Sequence, residues 1–402
     1  MIALDKQTIR DIDAHDKRVL VRVDFNVPMH DGAISDDTRI RAAIPTIEVL
    51  RGQGARVVLM SHLGRPDGTV VEGLRLAPVA VHLSGLIGVP VTAVRDYIGP
   101  DAESAVAALE QGGVLLLENL RFHAGEEAND PDFAASLARL GDVYVNDAFG
   151  TAHRAHASTE GVAHLLPAVA GLLMEREISI MGGALSDPEH PFVAVVGGKK
   201  VSDKIGVLRN LIGKADHLLI GGAMSNTFLR AQGYKMGLSF VEATSVSTAR
   251  AILSEASHAG TVIHLPVDVV VASQLSSSVE TFIVGVGMVP DNTMAFDIGP
   301  ATTERYADII RSATTVIWNG PMGVFEMEPF AAGTFGIAEA LVQVNGTTIV
   351  GGGDSVAALE ACGHSGSVTH VSTGGGAALE FLEGIELPGV AVLRDRASTA
   401  TK

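Results

Sequence analysis

The sequence predicts an α/β protein of two lobes, each a mostly parallel β-sheet covered by helices, joined by a bridging helix. Three observations support this prediction. A chain of 402 residues exceeds one ordinary core and suggests two domains of about 200 residues each. Hydrophobic residues make up 47% and aromatic residues only 4%, a composition that suits strands of Val, Ile and Leu packed against Ala-rich helices. Short apolar runs also recur along the chain, and each stops at a glycine or polar turn.

These apolar runs are predicted to be strands because they are short, continuous and bounded by turn residues. The runs are Val19–Val23, Val57–Met60, Val114–Leu117, Val143–Val145, Val193–Val196, Leu218–Ile220, Val262–Leu265, Val316–Ile317, Thr348–Val350 and His370–Ser372. Helical stretches such as Asp101–Glu110, Asp132–Leu140 and Val246–Ala256 lie between them. Continuous apolar strands that alternate with helices indicate parallel sheets covered on both faces. Ligands bind beyond the carboxyl ends of such strands, where the unusual residues of both halves lie.

The boundary between the lobes is predicted at residues 171–187. Apolar residues such as Leu172 and Ile178 alternate there with Glu175 and Arg176, as in a helix, and Asp187-Pro188 ends the pattern. The first lobe then comprises residues 1–170, and the second begins at residue 188.

Composition narrows the function classes. A net charge of −17 makes nucleic acid an unsuitable partner, because binding its phosphate backbone requires a basic surface. The most apolar stretch, Val162–Met174, contains His164 and Pro167 and is shorter than the roughly 20 residues of a membrane span. The acidic N-terminal region lacks the pattern of a signal peptide. The single Cys362 excludes an intrachain disulfide, so a cytoplasmic location is expected.

The first half carries candidate anion-binding residues near its predicted strand ends. They are Asp24, Asn26, Arg39, His62, Arg65, Arg121 and Arg154. Guanidinium groups bind phosphate and carboxylate in bidentate fashion, so several converging arginines would suit a small dianionic ligand. Asp24 and Asn26 would accept hydrogen bonds from a ligand hydroxyl. Any one arginine alone is better explained as a surface residue, whereas the set at strand ends favours a site.

The second half has features that suit a nucleotide. Gly197-Gly198 and Gly221-Gly222 end strands without side chains, which would let a flat base approach the backbone, although glycine pairs also serve as plain turns. Gly351-Gly352-Gly353-Asp354-Ser355 and Gly374-Gly375-Gly376 each join a strand to a helix, and a helix N-terminus favours phosphate. Asp354 is placed to reach a Mg²⁺ that accompanies the phosphates. Neither a Walker A sequence nor a Gly-x-Gly-x-x-Gly fingerprint occurs after a strand, which disfavours a dinucleotide-dependent dehydrogenase.

With these motifs assembled, the chain resembles the phosphoglycerate kinases from end to end. The motifs that carry the resemblance are Arg22-Val23-Asp24-Phe25-Asn26-Val27-Pro28, Ser61-His62-Leu63-Gly64-Arg65-Pro66, Lys200-Val201-Ser202-Asp203-Lys204, Trp318-Asn319-Gly320-Pro321-Met322-Gly323-Val324-Phe325-Glu326 and Thr373-Gly374-Gly375-Gly376. The resemblance implies two Rossmann-like lobes, the first for 3-phosphoglycerate and the second, at residues 188–385, for ATP or ADP with Mg²⁺. It also implies that a tail, residues 386–402, returns to the first lobe, and that the protein is a monomer.

The resemblance also implies a role for each matching residue. Asp24, Asn26, Arg39, His62, Arg65, Arg121 and Arg154 would hold 3-phosphoglycerate. Gly197, Gly198, Lys204, Gly221, Gly222, Asn319, Pro321, Glu326, Gly352, Gly353, Asp354 and Ser355 would hold the nucleotide, with Asp354 at the metal. Arg39, Lys200, Lys204, Gly374, Gly375 and Gly376 would surround the phosphoryl group during transfer. Three residues depart from the family pattern: Lys199 replaces a small residue, Ser355 replaces Thr, and Phe296 replaces Leu, the last expected to be a packing change.

The predicted reaction is in-line transfer between ATP and the carboxylate of 3-phosphoglycerate, a glycolytic step, with closure of the two lobes about a hinge. Two alternatives stay open at this point. A non-catalytic two-lobed anion-binding protein would share the arginine-rich pocket but would leave Lys200 and Lys204 without a task. Another acyl-phosphate-forming kinase, such as an acetate-type enzyme, would share the chemistry but would not need four arginines and His62 for its acceptor.

Overall fold

The structure of the protein is a computed structural model that describes residues 5–30 and 32–396. Parts of the predicted first lobe (residues 1–4 and 31) and of the predicted tail (residues 397–402) lie outside the described residues. The chain divides into two compact units, Met1–Ser179 with Glu386–Lys402, and Ile180–Ile385.

The first unit is built on a six-stranded sheet in which all neighbouring strands are parallel. Its strands, with a short hairpin formed by the second and third, are β1 (Arg18–Arg22), β2 (Met29–His30), β3 (Ala33–Ile34), β4 (Arg56–Met60), β5 (Val91–Ala93), β6 (Val114–Leu116), β7 (Val143–Asn146) and β8 (Ala168–Ala170). The order across the sheet is β5-β6-β4-β1-β7-β8. β1 and β4 pair in register from Arg18 beside Arg56 to Arg22 beside Met60. Because both faces are covered, Val57, Val58, Leu59 and Met60 of β4 are all fully buried.

Helices cover this sheet between the strands. They are α1 (Thr38–Gly52), α2 (Ala77–Ile87), α3 (Pro100–Ala107), α4 (Ala124–Glu127) and α5 (Pro131–Ala138), with single 3₁₀ turns at Glu72–Leu74, Leu120–Phe122, Phe149–Thr151 and Gly161–His164. α1 packs Ile40, Ile47 and Leu50 into the core that contains Val57 and Leu59. A further helix, α6 (Leu172–Ser186), continues from the first unit into the second.

The second unit repeats this architecture with a second six-stranded parallel sheet. Its strands are β9 (Phe192–Val196), β10 (His217–Ile220), β11 (Val262–His264), β15 (Thr315–Asn319), β16 (Thr347–Gly351) and β17 (His370–Val371), in the order β11-β10-β9-β15-β16-β17. Its helices are α7 (Ile205–Leu211), α8 (Gly222–Ala231), α9 (Val246–Ala259), α10 (Pro300–Arg311), α11 (Ala332–Leu341), α12 (Gly353–Ala361) and α13 (Gly376–Leu382), with 3₁₀ turns at Ala243–Ser245, Val286–Met288 and Glu328–Phe330. The fully buried Trp318 lies in the core of this sheet. Both units therefore have the predicted parallel sheet covered by helices.

A small antiparallel sheet in the second unit was not predicted. It consists of β12 (Asp268–Ala272), β13 (Phe282–Gly285) and β14 (Met294–Ile298), with β12 in the centre. Phe282 and Ile283 of the edge strand β13 are exposed. Apolar residues on the solvent side hide the alternation that marks a half-buried strand.

The C-terminal segment packs within the first unit. After α14 (Pro388–Ala391), Arg394 accepts a backbone hydrogen bond from Gln7 at 2.8 Å. The ammonium of Lys6 donates to the carbonyl of Leu393 at 3.0 Å and pairs with Asp395 at 2.7 Å. In the described ranges, 5–30 and 32–396, no helix combines the length and the apolar character that crossing a bilayer requires.

Candidate active site

Four adjacent strands of the first sheet, β6, β4, β1 and β7, end at one edge, and the predicted anion-binding residues follow them. Parallel strands place their carboxyl ends at the same edge of a sheet, so the chain segments that leave them converge. Asp24 and Asn26 follow β1, His62 and Arg65 follow β4, Arg121 follows β6, Arg154 follows β7, and Arg39 lies in the first turn of α1.

Arg39 contacts the segment that follows β1. Its Nη1 donates to Oδ2 of Asp24 at 3.1 Å and to the carbonyl oxygen of Asn26 at 3.0 Å. The side chain of Arg39 remains 38% exposed, so part of the guanidinium can still reach a ligand. Oδ1 of Asn26 accepts from the amide of Gly64 at 2.9 Å. This contact joins the segment after β1 to the loop that carries the exposed Arg65.

Arg121 and Arg154 are the more constrained arginines of the cluster. Arg121 is buried, and its Nη1 donates to the carbonyl of Gly64 at 2.9 Å, while its Nε lies 3.0 Å from a carboxylate oxygen of Glu127. Burial lowers the pKa of Arg121, as do the charges of nearby arginines, Arg154 among them. Nε of Arg154 donates to Nε2 of His153 at 3.1 Å. Hydrogen bonds therefore link Arg39 to Asp24 and Asn26, and link Asn26 and Arg121 through Gly64, while Arg154 is close enough for its charge to act on Arg121.

His62 lies at the centre of this cluster. Its ring is buried, and its Nδ1 lies 3.1 Å from Nη2 of Arg22. Burial lowers the pKa of His62 well below its ordinary value, and the charges of Arg22, Arg121, Arg39 and Arg154 lower it further. This shift favours the neutral imidazole, and in that form Nδ1 accepts from Arg22, because arginine can only donate, and the ring proton is on Nε2. Four cations around one neutral donor form a site for an anion.

The second unit contains a cavity of about 450 Å³, a size suited to a nucleoside. Of the residues predicted to bind the nucleotide, Gly198, Gly222, Pro321, Glu326 and Asp354 line it. Most of the remaining wall is apolar and includes Phe240, Val269, Leu275, Met294, Phe296, Ile298, Met322 and Val324. Phe296, expected to be only a packing change, is both part of this wall and packed against Phe330, with ring centroids 4.9 Å apart.

Gly197 and Gly221 serve a different purpose from that expected of the glycine pairs. A Cβ on Gly197 would lie 2.1 Å from the carbonyl oxygen of Pro321, and a Cβ on Gly221 would lie 2.2 Å from Sδ of Met322. Neither residue is among those that line the cavity. These positions require glycine because the loops after β9, β10 and β15 pack directly on one another.

Lys204 and Asn319 form the polar end of the site. Lys204 precedes α7, and its ammonium donates to Oδ1 of Asn319, the last residue of β15. The side-chain Nδ2 of Asn319 donates in turn to the carbonyl of Gly351 at 2.9 Å. Burial lowers the pKa of Lys204, while the charges of Asp203, Glu383 and Asp354 oppose this shift. Asp354 lies in the first turn of α12. The desolvated ammonium of Lys204 is thus held near Asp354, the one carboxylate predicted to bind metal. Lys200, by contrast, is exposed.

The glycine turns that begin α12 and α13 have the backbone geometry that only glycine adopts readily. Gly352 has φ of 91° and Gly375 has φ of 51°, both in the left-handed region. Gly353 and Gly376 are the first residues of the two helices, and Gly374 accepts a backbone hydrogen bond from Ala377 at 3.0 Å. The hydroxyl of Ser355 accepts from the amide of Gly320 at 2.6 Å, so it ties α12 to the loop after β15.

Comparison with known proteins identifies the family. The family model for phosphoglycerate kinase matches residues 9–385. A protein of Moorella thermoacetica named phosphoglycerate kinase is 60% identical over 391 residues, which cover 97% of this chain and 100% of the relative. This chain belongs to the phosphoglycerate kinase family.

Other relatives agree with this assignment. A phosphoglycerate kinase of Herpetosiphon aurantiacus is 57% identical over 394 residues, 98% of this chain and 100% of the relative. The solved structure of phosphoglycerate kinase from Coxiella burnetii superposes with a TM-score of 0.90 at 43% identity and covers 96% of this chain and 98% of that one. The crystal structure of the enzyme from Pyrococcus horikoshii gives a TM-score of 0.83 at 36% identity, with coverage of 96% and 98%.

Sequence reasoning missed several residues of this phosphoglycerate kinase family member that the structure brings to the site. Arg22 was quoted only as part of a motif, yet it is buried against His62. The sequence did contain an indication of this role, because a charged residue at the end of the apolar run of β1 is buried only if it has polar partners. Phe240 and Leu275 of the cavity wall gave no such signal, since both lie in loops without periodicity, while Val269, Met294 and Ile298 lie in the small sheet that was not predicted.

The donor set near the cavity fits Mg²⁺. Mg²⁺ is usually bound by one or two carboxylates together with substrate phosphates and waters, rather than by a cage of protein ligands. Among residues 5–30 and 32–396, no three His, Cys, Asp or Glu side chains are clustered as metal ligands. Asp354 offers one exposed carboxylate at the start of α12, beside the cavity and near Lys204. This arrangement suits a metal that arrives with the nucleotide.

Proposed function

We propose that this protein transfers the γ-phosphoryl group of ATP to the carboxylate of 3-phosphoglycerate, which gives 1,3-bisphosphoglycerate and ADP, and that it catalyses the reverse reaction. The observation that carries the proposal is the group of arginines around the neutral His62 at one edge of the first sheet. Acetate has one anionic group and would need only one cationic partner, whereas 3-phosphoglycerate carries both a carboxylate and a phosphate. The cluster matches a ligand with two anionic groups.

The acceptor is held by the residues of the first unit. Arg65, Arg121 and Arg154 supply positive charge for its phosphate, and the Nε2 proton of His62 is available to an acceptor oxygen. Asp24 and Asn26 bind its hydroxyl. Arg39, which stays partly exposed beside Asp24, turns towards the transferring group.

The nucleotide is held by the second unit. The base lies in the apolar cavity beside Gly198, Gly222 and Pro321, and Glu326 binds the ribose. The phosphates meet Lys204, held by Asn319, and the helix start at Gly352-Gly353-Asp354-Ser355. Gly197 and Gly221 support the site by shaping the loops, and Lys200 with Gly374, Gly375 and Gly376 contributes to the transfer site.

The chemistry requires positioning and neutralisation of charge rather than a general base. The acceptor carboxylate is already ionised near neutral pH, so no proton has to be removed before it attacks. Alignment of two bound reactants can supply about 7–11 kcal/mol of the barrier. Arg39, Lys200 and Lys204 then stabilise charge on the equatorial oxygens of the phosphoryl group in flight. Mg²⁺, held by Asp354 and the nucleotide phosphates, would neutralise further charge when bound.

Closure about a hinge is part of the proposal. The acceptor residues and the nucleotide residues belong to different units, while reacting atoms must come within about 3–3.5 Å of each other. The two bound substrates must therefore be brought together, and water must be kept from the phosphoryl group. Residues near the end of α6, such as Gly182-Gly183, are candidates to absorb the rotation. The monomeric state and the cytoplasmic location expected from the sequence stay predictions.

An assay of acceptor specificity tests the function. Initial rates of ADP formation are measured with 3-phosphoglycerate, with glycerate, which lacks the phosphate, and with acetate, each with and without excess EDTA. We expect turnover with 3-phosphoglycerate alone and its loss in EDTA. Equal rates with acetate would point to a different acyl-phosphate-forming kinase, and binding without any turnover would point to a non-catalytic protein. Full activity in EDTA would contradict the role of Asp354 and Mg²⁺.

A further inference from the structure

A buried chain of hydrogen bonds runs beneath the anion site and ends at His62. Oγ of Ser158 donates to Oε1 of Glu126 at 2.5 Å, and Nε of Arg22 donates to the same Oγ at 2.8 Å. Nη2 of Arg22 lies 3.1 Å from Nδ1 of His62. Glu126 and Ser158 are fully buried, and Arg22 and His62 are exposed by only 1% and 3%. We name these four residues, Glu126, Ser158, Arg22 and His62, the buried chain.

Chemistry fixes the direction of the two hydrogen bonds that Arg22 makes within the buried chain. A guanidinium has donors and no acceptor, so Oγ of Ser158 and Nδ1 of His62 must both accept from Arg22. The hydroxyl proton of Ser158 is thereby directed to Glu126. The other oxygen of that carboxyl group accepts from the amide of Ser158 at 3.0 Å. With both oxygens accepting, the arrangement favours the carboxylate form, and Arg22 supplies the positive charge that a buried carboxylate requires.

We propose that Glu126 and Ser158 are positioning residues that hold Arg22 against Nδ1 of His62, and so keep the proton of His62 on Nε2 for the acceptor substrate. This inference rests on the proposed function, in which His62 binds 3-phosphoglycerate. Ser158 is the link, because it is the one group of the chain that both accepts from Arg22 and donates to Glu126. Neither residue touches the substrate itself.

A competing state makes this positioning necessary. Oδ1 of Asp24 lies 3.9 Å from Nδ1 of His62, beyond hydrogen-bond reach but close enough to attract a proton placed there. The other charged groups that act on the ring are Arg22, Arg121, Arg39 and Arg154. If Arg22 lost its alignment, Nδ1 would be free to carry a proton towards Asp24. His62 would then present the wrong tautomer, or a charged ring, to the substrate site.

Burial supports the same account. Burial raises the pKa of Glu126, and the charge of Arg22 and the bonds from Ser158 act in the opposite direction. Burial and the surrounding arginines lower the pKa of His62. Both ends of the buried chain therefore depend on Arg22. Its charge compensates the carboxylate of Glu126, and its hydrogen bond to Nδ1 fixes the tautomer of His62.

The tautomer of His62 can be measured without any substrate. Nitrogen-15 NMR of the histidine-labelled full chain distinguishes a protonated ring nitrogen from an unprotonated one, and the signals of His62 are assigned by their loss in His62→Asn. We expect an unprotonated Nδ1 and a protonated Nε2 that persist at pH about 6.5, where an ordinary histidine is half charged. A protonated Nδ1 in the wild type would overturn the inference, whatever the enzyme turns over.

Substitution of Ser158 tests the link itself. Ser158→Ala should let Nδ1 of His62 become protonated in part of the molecules, and Ser158→Thr, which keeps the hydroxyl, should restore the wild-type tautomer. Half-buried Ser136 is a matched control, because its hydroxyl also accepts from an arginine, Arg139 at 3.2 Å, and donates to the carbonyl of Asp132 at 2.8 Å. Ser136→Ala should leave the signals of His62 unchanged.

Kinetics supply a second readout. Ser158→Ala and Glu126→Gln should each raise KM for 3-phosphoglycerate roughly five- to tenfold, the scale of one ordinary hydrogen bond, and should leave KM for ATP unchanged. An unchanged tautomer and an unchanged KM for 3-phosphoglycerate in folded Ser158→Ala would refute the inference. A general loss of stability would not raise KM for 3-phosphoglycerate while leaving KM for ATP unchanged. If both variants fail to fold, the wild-type tautomer decides the inference. Absence of turnover in the wild type would refute the proposed function and leave the NMR result standing.

Discussion

Nζ of Lys199 lies 5.3 Å from the ring centroid of Phe240, and both residues line the cavity of the second unit. The contact holds a cation beside the proposed base site. An ammonium over an aromatic face is attracted by the negative face of the ring, with a strength of about 0.5–1 kcal/mol at an exposed site. The side chain of Lys199 is therefore oriented rather than free in solvent.

Loss of this cation should weaken nucleotide binding selectively. Lys199→Met keeps most of the stem and removes the charge, so KM for ATP should rise about two- to fivefold, the scale of one exposed charge contact. KM for 3-phosphoglycerate and kcat should not change. Lys235→Met, which removes an exposed lysine elsewhere in the unit, serves as the control. Equal effects of the two substitutions on KM for ATP would show that only net charge matters.

Two arginines of the first unit should affect different kinetic constants. Arg39 is partly exposed beside Asp24 and is assigned to the phosphoryl group in flight. Arg39→Ala should therefore lower kcat by roughly 10³ or more, as expected for an arginine that stabilises transferring phosphate. Arg154→Ala should chiefly raise KM for 3-phosphoglycerate. Steady-state kinetics in which Arg39→Ala keeps its kcat would contradict this division of roles.

A buried carboxyl group in the second unit should make stability depend on pH. Burial raises the pKa of Asp297 to about 7, although the amides of Gly333 and Ile298 donate to it. An unfolded aspartate has a pKa of about 3.9. Between these values the native state binds more protons, so the stabilisation is complete below about pH 3.9 and is lost as pH rises through about 7.

Asp297→Asn removes this titration. The free energy of unfolding of the wild type minus that of Asp297→Asn should be largest at low pH and should fall as pH rises towards 7. Denaturant unfolding at several pH values measures it, with exposed Asp291→Asn as a reference for removal of a carboxyl group. A difference that is independent of pH would show that Asp297 is ionised throughout.

Substrate binding should reduce the radius of gyration. Neither substrate alone contacts the residues assigned to both, so each should close the protein only partly, in proportion to its preference for the closed state. Small-angle scattering of the free, singly bound and doubly bound protein gives the four values. A radius that is the same in all four states would exclude closure.

Much of the fold was predictable because parallel strands buried on both faces leave continuous apolar runs. All ten predicted strands are present, and their ends differ by at most two residues. β5 and β8 were missed because neither is a run of large apolar residues: Val91–Ala93 contains Thr and is mostly exposed, and Ala168–Ala170 has two alanines, which are not typical of strands. β13 was missed because consecutive Phe282 and Ile283 are both apolar and both exposed, which removes the alternation between apolar and polar residues.

The anion site was more predictable than the nucleotide site for a physical reason. Asp24, His62 and Arg121 follow directly after strands, and strand ends in a parallel sheet converge without further information. The partners of Arg22 could not be deduced in this way. Ser158 and Glu126 come from segments whose meeting depends on tertiary packing, and a lone serine or glutamate gives no pattern in the sequence.

Phosphorus-31 NMR of one reaction mixture tests the central claim most directly. The protein is mixed with ADP, Mg²⁺ and 1,3-bisphosphoglycerate, because the acyl phosphate is the stronger phosphoryl donor and drives the reaction in this direction, and the phosphorus signals are followed over time. The account predicts that the acyl phosphate signal is replaced by the γ-phosphate signal of ATP in equal amounts, and that inorganic phosphate does not accumulate at the same rate. Loss of the acyl phosphate to inorganic phosphate without formation of ATP would contradict transfer between the carboxylate and the nucleotide.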